Sequence, residues 1–296
     1  MKYRTLGSTN MNVSVIGLGT WQFGGEWGLD FTDETVNEIF DAARETGINL
    51  IDTAECYGDH LSEEFIGRAI ERDRDKWIVA TKFGHKFTGL FERENAFDPA
   101  SVQTQLEDSL KALRTDHVDL YQFHSGSDEL FDSDGLWDAL GKLKQQGKVR
   151  HLGISIGGTN INQTERSPEV DSESIQVIYN RLQREPEEAV LPACERLNLG
   201  VLARVPLASG FLSGKYDVDA TFPKNDVRAQ RRSDEVRDKL EQVKKIKEDE
   251  VPADVPMAQW ALAWCLKNPV VTSVIPGCKS AEQVRGNAAA ADLLES

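Results

Sequence analysis

The stretch INLIDTAECYG (residues 48–58) decides how the rest of the chain is read. Ile48, Leu50 and Ile51 make a short apolar run that stops on a carboxylate, Asp52, with Tyr57 following just ahead of a glycine. A brief, nearly continuous apolar run bounded by turn residues is the pattern of a strand buried on both faces of a parallel sheet. An acid at the end of such a strand needs a partner from elsewhere in the fold, because a lone buried charge is costly.

Seven further runs share the pattern: VSVIGLGTW (13–21), WIVATKFG (77–84), VDLYQFH (118–124), VRHLGIS (149–155), SIQVIYN (174–180), GVLARVPL (200–207) and VTSVIPG (271–277). Helical periods lie between them. In 32–47, Thr32 and Asp33 can cap the start and Gly47 can close the end. In 98–116, Pro99 falls in the first turn, with Val102, Leu106, Leu110 and Leu113 along one face. Residues 135–148 and 280–294 behave alike. Eight strands, each followed by a crossover, predict an α/β fold of the (β/α)8 TIM-barrel type. The rival, an open doubly wound sheet, usually shows a GxGxxG turn after its first strand, and GLGTWQFGG (17–25) lacks that spacing. Residues 2–12 are expected as an arm of a short N-terminal hairpin on the barrel floor. Long loops follow the third strand (84–98) and the seventh (208–234), and 156–171 has no apolar helical stripe, which leaves the fifth helix in question. With no linker or low-complexity tract, residues 1–296 are expected to form one domain.

The chain carries 49 acidic and 34 basic residues, a net charge of −15. Such a field disfavours nucleic acid and anionic membrane surfaces as partners, and an anionic ligand would need a local basic well. The run WALAWCL (260–266) is too short to span a bilayer, and the N-terminus has no continuous apolar core of a secretory signal, so the cytoplasm is expected. Cys56, Cys194, Cys265 and Cys278 show no CxxC, and His60, His85, His117, His124 and His151 no paired-ligand spacing, so no metal site is read. Cys56 reads as core filler rather than a reactive thiol, and RAQRR (228–232) as a solvated charge run.

In a barrel the C-terminal ends of the strands converge on one face. Asp52 ends the second strand with Tyr57 just beyond it, Lys82 lies near the end of the third, and His124 ends the fourth. Ser155 ends the fifth, and Gln176 lies in the sixth. Each residue alone reads as cap, surface or core, but crowded at one mouth they make a chemical group. Asp52 would compensate Lys82, and an ammonium beside a phenol, which ionises near ~10, is expected to lower that pKa. With His124 as a hydrogen-bond donor, the set suits protonation of a carbonyl oxygen. The carbon would still need a hydride, which no side chain supplies and a nicotinamide does. A Schiff-base role for Lys82 is disfavoured, since pairing with Asp52 keeps the amine charged.

The segments GLGTWQFGG, DTAECYG, ATKFG, VDLYQFH, GIS, QVIYNRLQRE, PLASGFLSGKY and VIPGCKSAEQVRGN occur in an order that resembles the aldo-keto reductase family over nearly the whole chain. The resemblance implies a monomeric reductase of small-molecule carbonyls, with NADP(H) preferred and NAD(H) possible. It matches Tyr57 to the general acid, Lys82 and Asp52 to its tuning pair, and His124 to the residue orienting the carbonyl. Ser155 and Gln176 match holders of the nicotinamide carboxamide, and Gly19, Thr20 and Trp21 the first-strand end beside cofactor and substrate. Pro206, Leu207, Gly210, Leu212 and Lys215 match the segment over the pyrophosphate. Gly277, Lys279, Ser280, Gln283 and Asn287 match the adenosine end, Lys279 and Ser280 as ligands of a 2′-phosphate. Arg204 stands where an aromatic ring often stacks on the nicotinamide, Ser125 where Trp often follows the histidine, and Gln283 where Arg is frequent. Some barrels resembling this one act as cofactor-bound sensor or regulatory subunits, which is the alternative function.

Overall fold

The computed structural model describes residues 1–294. Its main sheet has eight strands: β1 (Leu18–Gly19), β2 (Leu50–Asp52), β3 (Ile78–Phe83), β4 (Val118–His124), β5 (Val149–Ser155), β6 (Ser172–Ile178), β7 (Gly200–Arg204) and β8 (Ser273–Val274). Sequential strands are parallel neighbours throughout. Parallel bridges from Ile16 to Val274 and from Gly19 to Gly277 join the last strand to the first and close a (β/α)8 barrel. Gly19 is needed at this seam, because a Cβ there would lie 2.6 Å from the Ile275 carbonyl oxygen.

The helices start where the side chains can cap them. The Thr32 hydroxyl accepts from the Thr35 amide at the head of Asp33–Thr46, which ends on Gly47 at φ 77°. Asp98 accepts from the Ser101 amide ahead of Pro99–Ala112, whose Val102, Leu106 and Leu110 are buried. These stripes cover the outer face of the strands and form the larger core. A second, smaller cluster fills the barrel interior. Leu6 and Val13 pack there with Leu50, Ala80, Leu120, Leu202 and Ile275. The hairpin that carries them pairs Tyr3–Thr5 with Asn12–Ser14 and plugs the floor, at the N-terminal ends of the strands.

The mouth is more elaborate. The loop after β3 is an antiparallel hairpin, His85–Gly89 with Glu92–Asn95. The fifth crossover has only the short helix Ile161–Glu165 and a 3-10 turn, Ser167–Val170, consistent with its missing apolar stripe. Past β7 the chain makes single turns at Ala208–Ser213 and Val227–Gln230, then an 18-residue helix, Ser233–Glu250. That helix went unread in the sequence, although Val236, Leu240, Val243 and Ile246 give it a buried face. The loop straps across to the segment after β1: Val227 N–H donates to the Glu26 carbonyl at 3.0 Å and Gly28 N–H to that of Asn225 at 3.1 Å. Among the described residues no helix is long and apolar enough to cross a membrane.

Candidate active site

Asp52 finds its partners at the mouth. Lys82 Nζ donates to Asp52 Oδ2 at 2.8 Å and to the Thr53 carbonyl at 2.6 Å, and lies 3.4 Å from Tyr57 Oη. The other carboxylate oxygen accepts from Gln176 Nε2 at 2.7 Å and Gln122 Nε2 at 3.2 Å. Asp52 is therefore saturated, while Lys82 presents its third contact to the phenol. The His124 ring sits edge-on to Tyr57 at 6.2 Å between centroids, and Trp21 stacks on the other side at 6.0 Å.

The electrostatics follow from burial. Burial opposes the Lys82 ammonium, but Asp52 and Tyr57 outweigh it and hold its pKa above the ordinary value. Burial likewise pushes the Tyr57 phenol up to about 12, further than Lys82 draws it back. This reverses the direction expected from the sequence, where the ammonium was weighed without the desolvation that accompanies it. Tyr57 is held as a protonated donor at neutral pH. Burial, with Lys82 and His85 adding to it, drives His124 well below the usual histidine range, so its imidazole is neutral.

These groups open onto a cavity of about 480 Å³ running from His124 across to the last helix. Of the residues singled out in the sequence, its wall includes Gly19, Thr20, Trp21, Asp52, Tyr57, His124, Gln176, Arg204, Pro206, Leu207, Gly210, Lys215, Gly277, Lys279, Gln283 and Asn287. Four do not reach the wall. Lys82 lies behind Asp52 and Tyr57. Ser155 is buried and donates to Gln176 Oε1 at 3.3 Å, positioning that amide. Ser280 is occupied as the cap of helix Ala281–Ala288, accepting from the Gln283 amide. The Leu212 side chain turns into the cluster with Phe211, Leu240 and Met257, because the loop that carries it folds onto an apolar helix face.

The groove fits a polyanionic dinucleotide on three observations. Lys215, Lys279 and Arg204 concentrate positive charge on one wall of an acidic protein. Arg204 Nε is buried without a hydrogen-bond partner, although its Nη2 donates to the Ile156 carbonyl at 3.2 Å. Gln22 packs directly on Gly277, where a Cβ would lie 1.7 Å from its Nε2, and Gln22 Oε1 is buried without a hydrogen-bond partner. Arg285 instead faces outward, 2.7 Å from Glu45.

Several wall residues escaped the sequence reading. Glu26 is buried, bonded to Trp21 Nε1, to the Phe91 amide at 3.0 Å and to Arg93 at 2.5 Å, which ties the β3 hairpin to the loop after β1. Arg228 is not part of a solvated run. It is 5% exposed, pairs with Asp226 at 2.6 Å and lies over the Phe222 ring at 4.0 Å. Gln122, behind the wall on Asp52, was legible as a polar residue inside an apolar strand; the wall residues depend on loop folds that no local pattern announces.

A (β/α)8 barrel with a phenol, an ammonium and a carboxylate gathered at its C-terminal mouth defines a class of oxidoreductase. The Aldo/keto reductase family profile matches residues 15–295, and the chain belongs to that family. It is 31% identical over 312 residues to the NADH-specific methylglyoxal reductase of Escherichia coli, covering 99% of this chain and 94% of that one. The holo form of aldo-keto reductase AKR11C1 from Bacillus halodurans superposes with a TM-score of 0.80 at 33% identity, covering 99% and 91% of the two chains. The glycerol dehydrogenase AKR11B4 of Gluconobacter oxydans gives 0.81 at 32%, covering 97% and 89%. Membership makes the chain a nicotinamide-dependent oxidoreductase of carbonyl compounds.

Proposed function

We propose that the chain reduces a small aldehyde or ketone with NADPH as the preferred cofactor and Tyr57 as the proton donor. The observation that carries this reading is the contact of 3.4 Å between Lys82 Nζ and Tyr57 Oη, on a lysine already anchored by Asp52. When bound, the nicotinamide supplies the hydride for the carbonyl carbon. The side chains handle the oxygen. As negative charge builds there, the Tyr57 proton moves to it, and the ammonium of Lys82 stabilises the phenolate left behind. The neutral imidazole of His124 holds the carbonyl by a hydrogen bond. Asp52, fixed by Gln122 and Gln176, keeps the ammonium in place.

Lys279, at the position matched to a 2′-phosphate, supports NADP(H), while Lys215 serves the pyrophosphate that both cofactors carry. Lys279 Nζ is engaged by the Trp27 carbonyl at 2.7 Å and Gln283 offers no charge, so NAD(H) is the competing cofactor, as in the NADH-specific relative. The names of the relatives make methylglyoxal and the oxidation of glycerol the first substrates to test.

The test follows near-ultraviolet absorbance of NADPH, and of NADH in parallel, as a carbonyl panel is turned over by wild type and Tyr57→Phe. Wild type is expected to oxidise NADPH, and the variant to lose about 10²–10⁴-fold in rate while still binding cofactor. A wild type that binds NADPH yet is no faster than Tyr57→Phe overturns the reading in favour of a cofactor-bound sensor.

A further inference from the structure

The wall beside His124 holds a second group of donors that carbonyl reduction leaves unused. Glu55, Cys56 and His124 each bring one ligand atom to within 4.8 Å of the others, and Cys56 Sγ lies 3.8 Å from His124 Nδ1. The first two come from the loop after β2 and the third from the end of β4, so no spacing along the chain reveals them. Ligand lengths of about 2.3 Å for sulfur and about 2.0 Å for nitrogen put two donors on one tetrahedral ion roughly 3.5 Å apart. The pair already present is close to that.

Two observations point from this cluster to a ligand. Glu55 is 3% exposed, and while its Oε1 accepts from the His85 amide at 2.9 Å, its Oε2 is buried with no partner. His85 Nδ1 is also buried without a partner, in a ring 4.9 Å from that of His124, and lines the same cavity. We propose that Glu55, Cys56 and His124 form a binding site for a zinc-class divalent cation, which on binding blocks the carbonyl pocket.

The donor set is of the right kind. Thiolate, imidazole and carboxylate together suit a borderline-soft ion, and three protein ligands leave one position open toward the cavity. The charges balance as well. Thiolate and carboxylate neutralise the ion, the thiol and carboxyl protons passing to buffer, while Lys82 and Arg93, the latter in contact with Cys56, are offset by Asp52 and Glu26. Arg204 has no such offset among the described residues and opposes the ion. A cation on Nδ1 leaves Nε2–H as a donor, so the block is one of space and charge: the ion and its open position stand at the end of the cavity where His124 would hold the carbonyl. The blocking rests on the reductase reading above; the binding does not.

The experiment titrates the purified full chain with cobalt(II), a spectroscopic stand-in for zinc, and follows cobalt–thiolate charge-transfer absorption. One equivalent is expected to bind with a thiolate band, and zinc to displace it. Cys56→Ser and Cys56→Ala should lose the band, and Glu55→Gln should weaken binding at least tenfold, with circular dichroism confirming the fold of each. In turnover, zinc should raise the KM for the carbonyl, and be at least tenfold less potent against either Cys56 variant. Absence of a thiolate band, or a band unchanged in both Cys56 variants, overturns the site. Since absorption needs no turnover, a chain that binds cobalt but reduces nothing overturns the reductase reading and leaves the site standing.

Discussion

Each end of the barrel buries a carboxylate against a cation, and the two ends differ in what remains unsatisfied. At the floor, Asp119 near the start of β4 accepts from Arg74 at 2.9 Å, Arg150 at 2.8 Å and the Val79 amide at 2.9 Å. Arg74 spends its other donors on the Trp77 and His117 carbonyls and the Thr115 hydroxyl. At the mouth, Asp52 is equally saturated, but Lys82 also touches the phenol, and partnerless buried atoms collect around it. Gln22 Oε1, Trp27 Nε1, Glu55 Oε2, His85 Nδ1 and Arg204 Nε all lie in or beside the cavity. Buried polar atoms are normally paired. A group of exceptions in one place marks a surface built to meet something other than itself.

Removing one cation from each end breaks the comparison most forcefully. Lys82→Met and Arg74→Met each strip a buried carboxylate of a partner, at a cost of about 3–5 kcal/mol, with Arg74→Met at the low end because Arg150 remains. Denaturant unfolding should show both losses. Only Lys82→Met should also lower kcat, by about 10²-fold or more, since only that cation touches the proposed proton donor, Tyr57. Equal losses of kcat in the two variants would mean that the mouth pair is merely structural.

Arg204 sharpens the same contrast in the opposite direction. Burial pulls this guanidinium below its ordinary pKa, and among the described residues it forms no ion pair. Arg204→Met should therefore leave the stability of the free protein within about 1 kcal/mol of wild type. Dinucleotide affinity, measured by quenching of intrinsic fluorescence, should fall about tenfold or more through loss of a charge-assisted contact. A variant that unfolds easily but binds cofactor normally would make Arg204 a floor-type residue placed at the mouth.

The sequence was most legible where residues answer to their immediate neighbours. The apolar runs of β4 and β5 have the same bounds in the structure, and the caps Thr32 and Asp98 stand where the polar residues precede helical periods. Asp52, Tyr57, Lys82 and His124 could be brought together on paper because parallel strands must deliver their ends to one face. What stayed hidden depends on contacts between distant loops. Arg228 looks solvated until Trp27, Tyr216 and Phe222 are packed around it. Glu26 and Arg93 meet only after the β3 hairpin folds back. The burial of the Leu212 side chain shows only once the helix Ser233–Glu250, itself unread, offers it an apolar face. The Tyr57 shift was misjudged for a related reason: the neighbouring charge is visible in the sequence, whereas the depth of burial is not.

The smallest effect belongs to a floor pair with nothing to do but hold. Asp73 accepts from Arg44 Nε at 2.8 Å and Nη2 at 2.9 Å, and from Trp77 Nε1 at 3.2 Å. The hydrogen bond from Arg44 lowers its pKa below the ordinary aspartate value. A depressed carboxyl pKa contributes stability that is fully present above the unfolded value, near 3.8, and is lost as the pH falls through the folded one. Asp73→Asn should thus cost about 1 kcal/mol at neutral pH, Arg44 keeping its bonds to Asp41 and the Ala69 carbonyl. In denaturant melts the gap from wild type should close on acidification below pH ~4, while kcat at neutral pH stays put. A gap that persists in acid would trace the cost to packing around Trp77 rather than to charge, and a change in kcat would mean that floor and mouth are coupled through β3.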